Sequence, residues 1–141
     1  MAVYTEESHT ARNEICDHAH ALRDLAEHVP ELTNAERRVA HARVVALLQS
    51  RVEPHTKLDE RLLYPDVADR LGDPLVAASM NYGHLAIRHW ISKIEKTDPR
   101  DSVRLQRLLY GLDVLMRVHV WKEEELFRAA LESSSWLATG A

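Results

Sequence analysis

The sequence predicts an all-α protein, an antiparallel up-down-up-down four-helix bundle. Three observations lead there. Apolar residues recur at steps of three and four along four long stretches, the spacing of a single buried helix face. Only 4 glycines and 5 prolines occur in 141 residues, too few for a turn-rich β protein. The stretches are joined by short connections, which make sequential helices antiparallel neighbours.

The first helix runs from about Thr10 to His28 and stops before Pro30. The second opens on Thr33-Asn34-Ala35-Glu36, the pattern of a capping box, and continues to about Leu63. Pro54 lies inside it and predicts a kink, because the proline ring clashes with the carbonyl of Ser50. Tyr64-Pro65 is expected to end this helix, with a short helix over 66–71 before Gly72. Asp73-Pro74 supplies an N-cap and a first-turn proline for the third helix, which reaches about Lys96. Thr97-Asp98-Pro99 repeats the device. The fourth helix then runs to about Glu132 and leaves 133–141 as a frayed tail. No repeat, linker or composition shift divides the chain, so residues 1–141 read as one domain with its core over about 10–132.

Composition narrows the function classes. Apolar residues make up 45% and charged residues 28%, the balance of a soluble globular protein. A net charge of −4 offers no electrostatic case for nucleic acid or an anionic membrane surface. No run of apolar residues is long enough to span a bilayer, and the first residues lack a basic-then-apolar signal pattern, so a cytoplasmic location is expected. The single cysteine, Cys16, excludes an internal disulfide and a cysteine-based metal cluster.

Each apolar seam is interrupted at one place. The first is Ile15, His18, Leu22, Leu25, Val29, and the second is Val45, Leu48, Val52, His55, Asp59, Leu62. The third is Ala77, Met80, His84, Ile87, Ile91, Ile94. The fourth is Leu109, Leu112, Met116, His119, Glu123, Leu126, Ala130. One seam histidine alone is usually a hydrogen-bonded core residue, and one buried carboxylate usually an ion pair. Four histidines and two carboxylates converge here, and no Lys or Arg occupies the seams so drawn. An unpaired buried carboxylate costs several kcal/mol, so a divalent cation is the simplest common partner. The alternative is a metal-free bundle with a buried polar network.

The spacing fits a cation. His-x-x-x-Asp and His-x-x-x-Glu each place two donors about 6 Å apart on one helix face. Nitrogen and oxygen donors without thiolate suit iron, manganese or zinc. Six donors exceed the needs of one tetrahedral zinc, and a carboxylate can bridge two ions, so a dinuclear site is expected in the bundle core. His9, His20, His28, His41 and His89 lie off the seams and read as solvated surface residues. Trp90, Trp121 and Trp136 read equally as surface anchors or core fillers.

At these residues the chain resembles the hemerythrin-like (HHE) cation-binding domain family, over about 10–132. The matching pieces are His18-x-x-Ala-Leu-Arg, then His55-x-x-x-Asp59-Glu60 followed by LLYP, then Met80-x-x-x-His84-x-x-Ile87. The last is RLLYGL followed by His119-x-x-x-Glu123-Glu124-Glu125-Leu-Phe. The resemblance implies a non-haem site with two iron ions. His18, His55, His84 and His119 match the terminal ligands, and Asp59 and Glu123 match the bridging carboxylates. Members of the family bind or process dioxygen, hydrogen peroxide or nitric oxide, or sense oxygen and iron. Ferritin-like bundles are the nearest confusable class, but their Glu-x-x-His pairs are missing from these seams.

Two departures from the family pattern stand out. Oxygen-carrying hemerythrins have a second histidine four residues after the one matching His84, and this chain has Arg88. One iron is then expected to keep a position for water, or for an added donor such as Glu60, Tyr82 or His89. Asp59 stands where the family usually has glutamate. Its reach is shorter by roughly 1.5 Å, against a coordination tolerance of about 0.2 Å. Either the Pro54 kink draws the second helix inward and Asp59 remains the ligand, which is the favoured reading, or Glu60 replaces it. Leu22, Val52, Ile87, Met116 and Leu126 are the expected apolar surroundings.

The expected function is binding of, or reaction with, a small ligand, as a scavenger or a low-turnover peroxidase or catalase. The open position beside Arg88 favours reaction over reversible storage. The alternative is an iron or oxygen sensor, or an oxygen-binding module, without turnover. No protein partner is identified by the sequence.

Overall fold

The computed structural model describes residues 6–139, with side chains at 10 and over 12–133. All regular structure among them is helical. Four helical stretches form the bundle. The first is α1, Glu6–His28, which Pro30 ends through a 3-10 turn at Val29–Glu31. The second is a composite: α2, Asn34–Leu47, a π-helical turn Leu48–Val52, α3, Glu53–Leu58, a second π-helical turn Asp59–Leu63, and α4, Tyr64–Leu71. The third is α5, Leu75–Lys96, and the fourth is α6, Ser102–Thr139.

Polar side chains set most of the boundaries. Thr33 Oγ1 accepts the Glu36 N–H at 3.2 Å and donates to the Glu36 carboxylate, which starts α2. Arg37 then donates to the carbonyls of Leu32 and Pro99, tying the start of α2 to the loop before α6. Asp73 Oδ1 accepts the Leu75 N–H at 2.9 Å at the start of α5. The start of α6 differs from the expectation. Asp98 closes a local turn by accepting the Arg100 N–H, and Asp101 caps the helix by accepting the Arg104 N–H at 3.1 Å. At its other end α6 continues past Glu132. Trp136 lies outside the described side chains, as does His9.

The second stretch carries the main correction. Tyr64-Pro65 does not end it, and helix continues to Leu71, where Gly72 at φ 65° forms a left-handed cap. Both π-helical turns lie just before a proline, Pro54 and Pro65. A proline cannot donate to the preceding turn and its ring crowds the carbonyl four residues back. A turn widened by one residue relieves both problems without breaking the helix. That extra residue also rotates the face beyond it. Leu62, placed on the seam by regular spacing, is 57% exposed, while Tyr64 and Val67 are buried.

The other seams pack as their periodicity requires. Leu22, Leu48, Val52, Ile87, Ile91, Ile94, Leu109, Leu112 and Met116 are buried in one apolar cluster. Fully burying each such side chain contributes about 1.5–3 kcal/mol. A smaller cluster of Val67, Phe127 and Ala130, with Leu63, Leu71, Val76 and Leu126 against it, closes the other end. Arg12 is a buried cation the seams did not include, its guanidinium 4.4 Å from the Phe127 ring centre. His41 is also not a solvated residue: it is half-buried, and its Nε2–H donates to the Ile94 carbonyl at 2.7 Å. Trp90 packs against the main cluster, and Trp121 is exposed. No helix among the described residues is long and apolar enough to cross a membrane.

Candidate metal centre

Between the two apolar clusters lies a band of buried polar groups. On α6, Met116 belongs to the main cluster and Phe127 to the smaller one, with His119 and Glu123 between them. Helical spacing of four residues stacks these two donors on one face, and His119 Nε2 lies 2.9 Å from Glu123 Oε1. His84 on α5 faces them, with its ring centre 4.5 Å from that of His119. His55 on α3 and Asp59, at the start of the second π-helical turn, are likewise four residues apart, with Nε2 to Oδ2 at 3.0 Å.

The donors fall into two groups that share one member. His84, His119 and Glu123 offer ligand atoms within 4.8 Å of one another, and so do His55, Asp59 and Glu123. Glu123 is therefore common to both. His18 is half-buried on α1 and belongs to neither group. Tyr82 is 73% exposed and His89 is exposed, and both stand outside the groups. Glu60 also stands apart, behind His84: its Oε1 is 3.0 Å from His84 Nδ1 and 2.5 Å from Arg88 Nη2.

Sequence reasoning missed Tyr64. Its phenol oxygen is buried at the centre of one group, 2.8 Å from His84 Nε2 and 2.9 Å from His119 Nε2. It donates to Glu123 Oε1 at 2.5 Å. Tyr64 is five residues after Asp59, a separation that regular α-helix sends to another face. A π-helical turn, with its i to i+5 bonds, brings these positions into line. The available signal is Pro65: a proline that does not end a helix can be accommodated by a widened turn before it.

Burial and close charges disturb these groups in telling ways. Burial, and then the neighbouring His119, pull His84 down to about 4, so it is neutral at pH 7. Burial pushes the Tyr64 phenol upward, and the carboxylates of Glu123 and Asp59 add to the effect. Asp59 is raised, chiefly by burial. At His55 burial acts downward, but the Asp59 carboxylate only 3.0 Å away outweighs it and the net shift is upward. Glu123 is lowered despite its burial, because His119 and Tyr64 supply hydrogen bonds and His119 a favourable charge.

The residues fit a bound cation on two counts. Asp59 Oδ2 is buried and, although His55 Nε2 lies 3.0 Å away, it has no hydrogen-bond partner. His84 has too few protons. A neutral imidazole carries one N–H, yet its Nδ1 faces a carboxylate and its Nε2 faces the oxygen of a phenol that donates elsewhere. Whichever nitrogen holds the proton, the other meets a lone pair. A cation on the Nε2 side would remove that conflict, and a cation within the His55–Asp59–Glu123 group would meet the free Asp59 oxygen. Imidazole, carboxylate and phenol donors suit iron, manganese or zinc.

No match was found among curated proteins or among solved structures. A family model does match: that of the hemerythrin HHE cation-binding domain, over residues 6–131. With that match spanning most of the chain, and with buried histidines and carboxylates gathered in its core, this protein belongs to the hemerythrin HHE cation-binding domain family.

Proposed function

We propose that the chain holds two iron ions and that these bind or react with dioxygen, hydrogen peroxide or nitric oxide. The observation that carries this reading is the sharing of Glu123 between two three-donor groups. On it, His55 and Asp59 serve one ion, His84 and His119 the other, and Glu123 bridges. Asp59, and not Glu60, is the carboxylate from the second stretch. His18 is added as a further ligand from the family pattern, with its half-buried place one turn before the buried Leu22 in support.

The bundle is read as antiparallel and up-down-up-down. In support, α1 and α6 meet through Ala26 with Gln106 and through Arg12 with Phe127. Gly83 of α5 faces His119 of α6, and Trp90 faces Gly111. Such an order lets all four stretches present one donor band at the same level.

When bound, two adjacent irons supply a shared two-electron change and a position for a small ligand. The chain supplies the surroundings. Leu22, Val52, Ile87 and Met116 exclude bulk water from the donors. Tyr64 holds a buried proton at its phenol oxygen, directed at Glu123 Oε1. Arg88 has no lone pair to offer, so α5 contributes one histidine where oxygen carriers contribute two. Fewer strong ligands favour reaction over reversible storage, and peroxidase- or catalase-like turnover at a low rate is the expected activity.

Two measurements test the reading together. Metal analysis of the purified protein should find two irons per chain, with an absorption spectrum that responds to azide. Oxygen added to the reduced protein and peroxide added to the oxidised protein should be consumed. A stable, reversible oxygen adduct without peroxide turnover would move the protein to the oxygen-binding class.

A further inference from the structure

Glu60 directly follows Asp59 in the chain but serves a different neighbour. Its Oε1 lies between His84 Nδ1, at 3.0 Å, and Arg88 Nη2, at 2.5 Å. His84 and Arg88 are four residues apart on α5, so one carboxylate from the second π-helical turn spans one turn of another helix. The His84 side chain is 1% exposed, whereas those of Glu60 and Arg88 are 26% and 30% exposed. The pair thus sits at the rim, behind a fully buried imidazole.

This placement decides which face of His84 carries its proton. A carboxylate only accepts, so the imidazole meets it best with the proton on Nδ1. The lone pair is then on Nε2, the atom that faces Tyr64 and the donor group. Arg88 fixes the carboxylate. Burial works against ionising Glu60, but hydrogen bonds from Arg88 and then His84 hold its carboxyl below the usual range. Without Arg88 the carboxylate would be free to turn to water, and His84 would lose its orienting acceptor.

We propose that Glu60 and Arg88 form a positioning pair that locks His84 with its proton on Nδ1 and a bare Nε2 aimed at the cation. Glu60 is then a positioning residue and not a ligand. Arg88, which stands where oxygen carriers have a further histidine, orients the histidine that remains. This rests on the reading of the donor band as a metal centre.

The test has one arm that needs no metal. In the metal-free protein, nitrogen-15 shifts of the His84 ring report which nitrogen is protonated. Wild type should show Nδ1–H. Glu60→Leu should move the proton to Nε2, where the Tyr64 oxygen can accept it, while Glu60→Gln should keep Nδ1–H because its amide carbonyl still accepts. In the second arm, titration with zinc(II), a redox-silent ion, should show affinity at one site weaker by about 10–100-fold in Glu60→Leu. Glu60→Gln and Arg88→Met should lose less. Circular dichroism confirms that each variant is folded.

An unchanged His84 tautomer in Glu60→Leu would overturn the positioning pair. So would loss of one bound ion in Glu60→Gln as complete as in Glu60→Leu, which would make Glu60 a ligand. Wild type that takes up no zinc, while the tautomer behaves as described, would instead remove the metal-centre reading and leave the pair standing.

Discussion

Gly83 on α5 gives the His119 imidazole of α6 the space it occupies: a Cβ at position 83 would stand 2.6 Å from His119 Nδ1. Alanine in a helix interior is favoured over glycine by about 1 kcal/mol, so Gly83→Ala gains propensity while crowding the ring. The clash meets a side chain at the donor band, and the ring must shift. Thermal unfolding of the metal-free variant should change by no more than a few degrees, whereas iron binding at the His84–His119–Glu123 group should weaken at least about tenfold. Undiminished iron binding would mean that His119 can move aside without loss, and the role assigned to it would fall.

Tyr64→Phe tests the centre of the same group. The phenol donates to Glu123 and lies within 2.9 Å of both histidine Nε2 atoms, and removing it leaves the buried Glu123 oxygen short of a donor. The metal-free protein should lose about 1–3 kcal/mol in denaturant unfolding. With iron bound, this variant also reports on the oxygen itself. If the phenol ligates, wild type shows a visible phenolate-to-iron absorption band that Tyr64→Phe lacks. If it only donates to Glu123, the two visible spectra agree.

Regular helical periodicity made much of this arrangement legible. Residues such as Leu22, Ile91, Leu112 and Met116 follow from steps of three and four, and so do the interruptions at His84, His119 and Glu123, because the helices carrying them are unbroken between these positions. The failures cluster where the period changes. Two π-helical turns around Pro54 and Pro65 each add a residue to a turn, which exposes Leu62 and brings Tyr64 inward. No fixed step finds both Asp59 and Tyr64. Glu60 illustrates a second limit. Its position beside Asp59 raised the question of which carboxylate binds, but its partner, Arg88, is on another helix, and such pairings depend on how two helices are rotated against each other.

The metal-free protein should carry a pH signature from His84. Its folded value of about 4 lies below its ordinary 6.5, so within that window the unfolded chain binds a proton that the folded chain refuses. His84 therefore contributes stability that is complete above pH 6.5 and is lost as the pH falls towards 4, by an amount on the order of 2–3 kcal/mol. His55 and Asp59 are both raised and act in the opposite direction. Comparison with His84→Phe isolates this contribution. Between neutral pH and about pH 4.5, metal-free wild type should lose more stability than the variant. Equal losses in urea unfolding would show that His84 is not held neutral by its surroundings.

Glu123 offers the sharpest separation of one ion from two. It belongs to both donor groups, while His55 belongs to one. His55→Ala should therefore lower iron from two per chain towards one, and Glu123→Ala should abolish binding at both positions. Stability follows occupancy. Iron at a hundred times its dissociation constant adds about 2.7 kcal/mol per site, and removing both ions by chelation should lower the wild-type melting temperature by about 10–20 °C. The same chelator should shift His55→Ala by less and Glu123→Ala hardly at all. If Glu123→Ala retains one ion at wild-type affinity, the carboxylate does not serve both groups, and the bridge must be sought in Asp59.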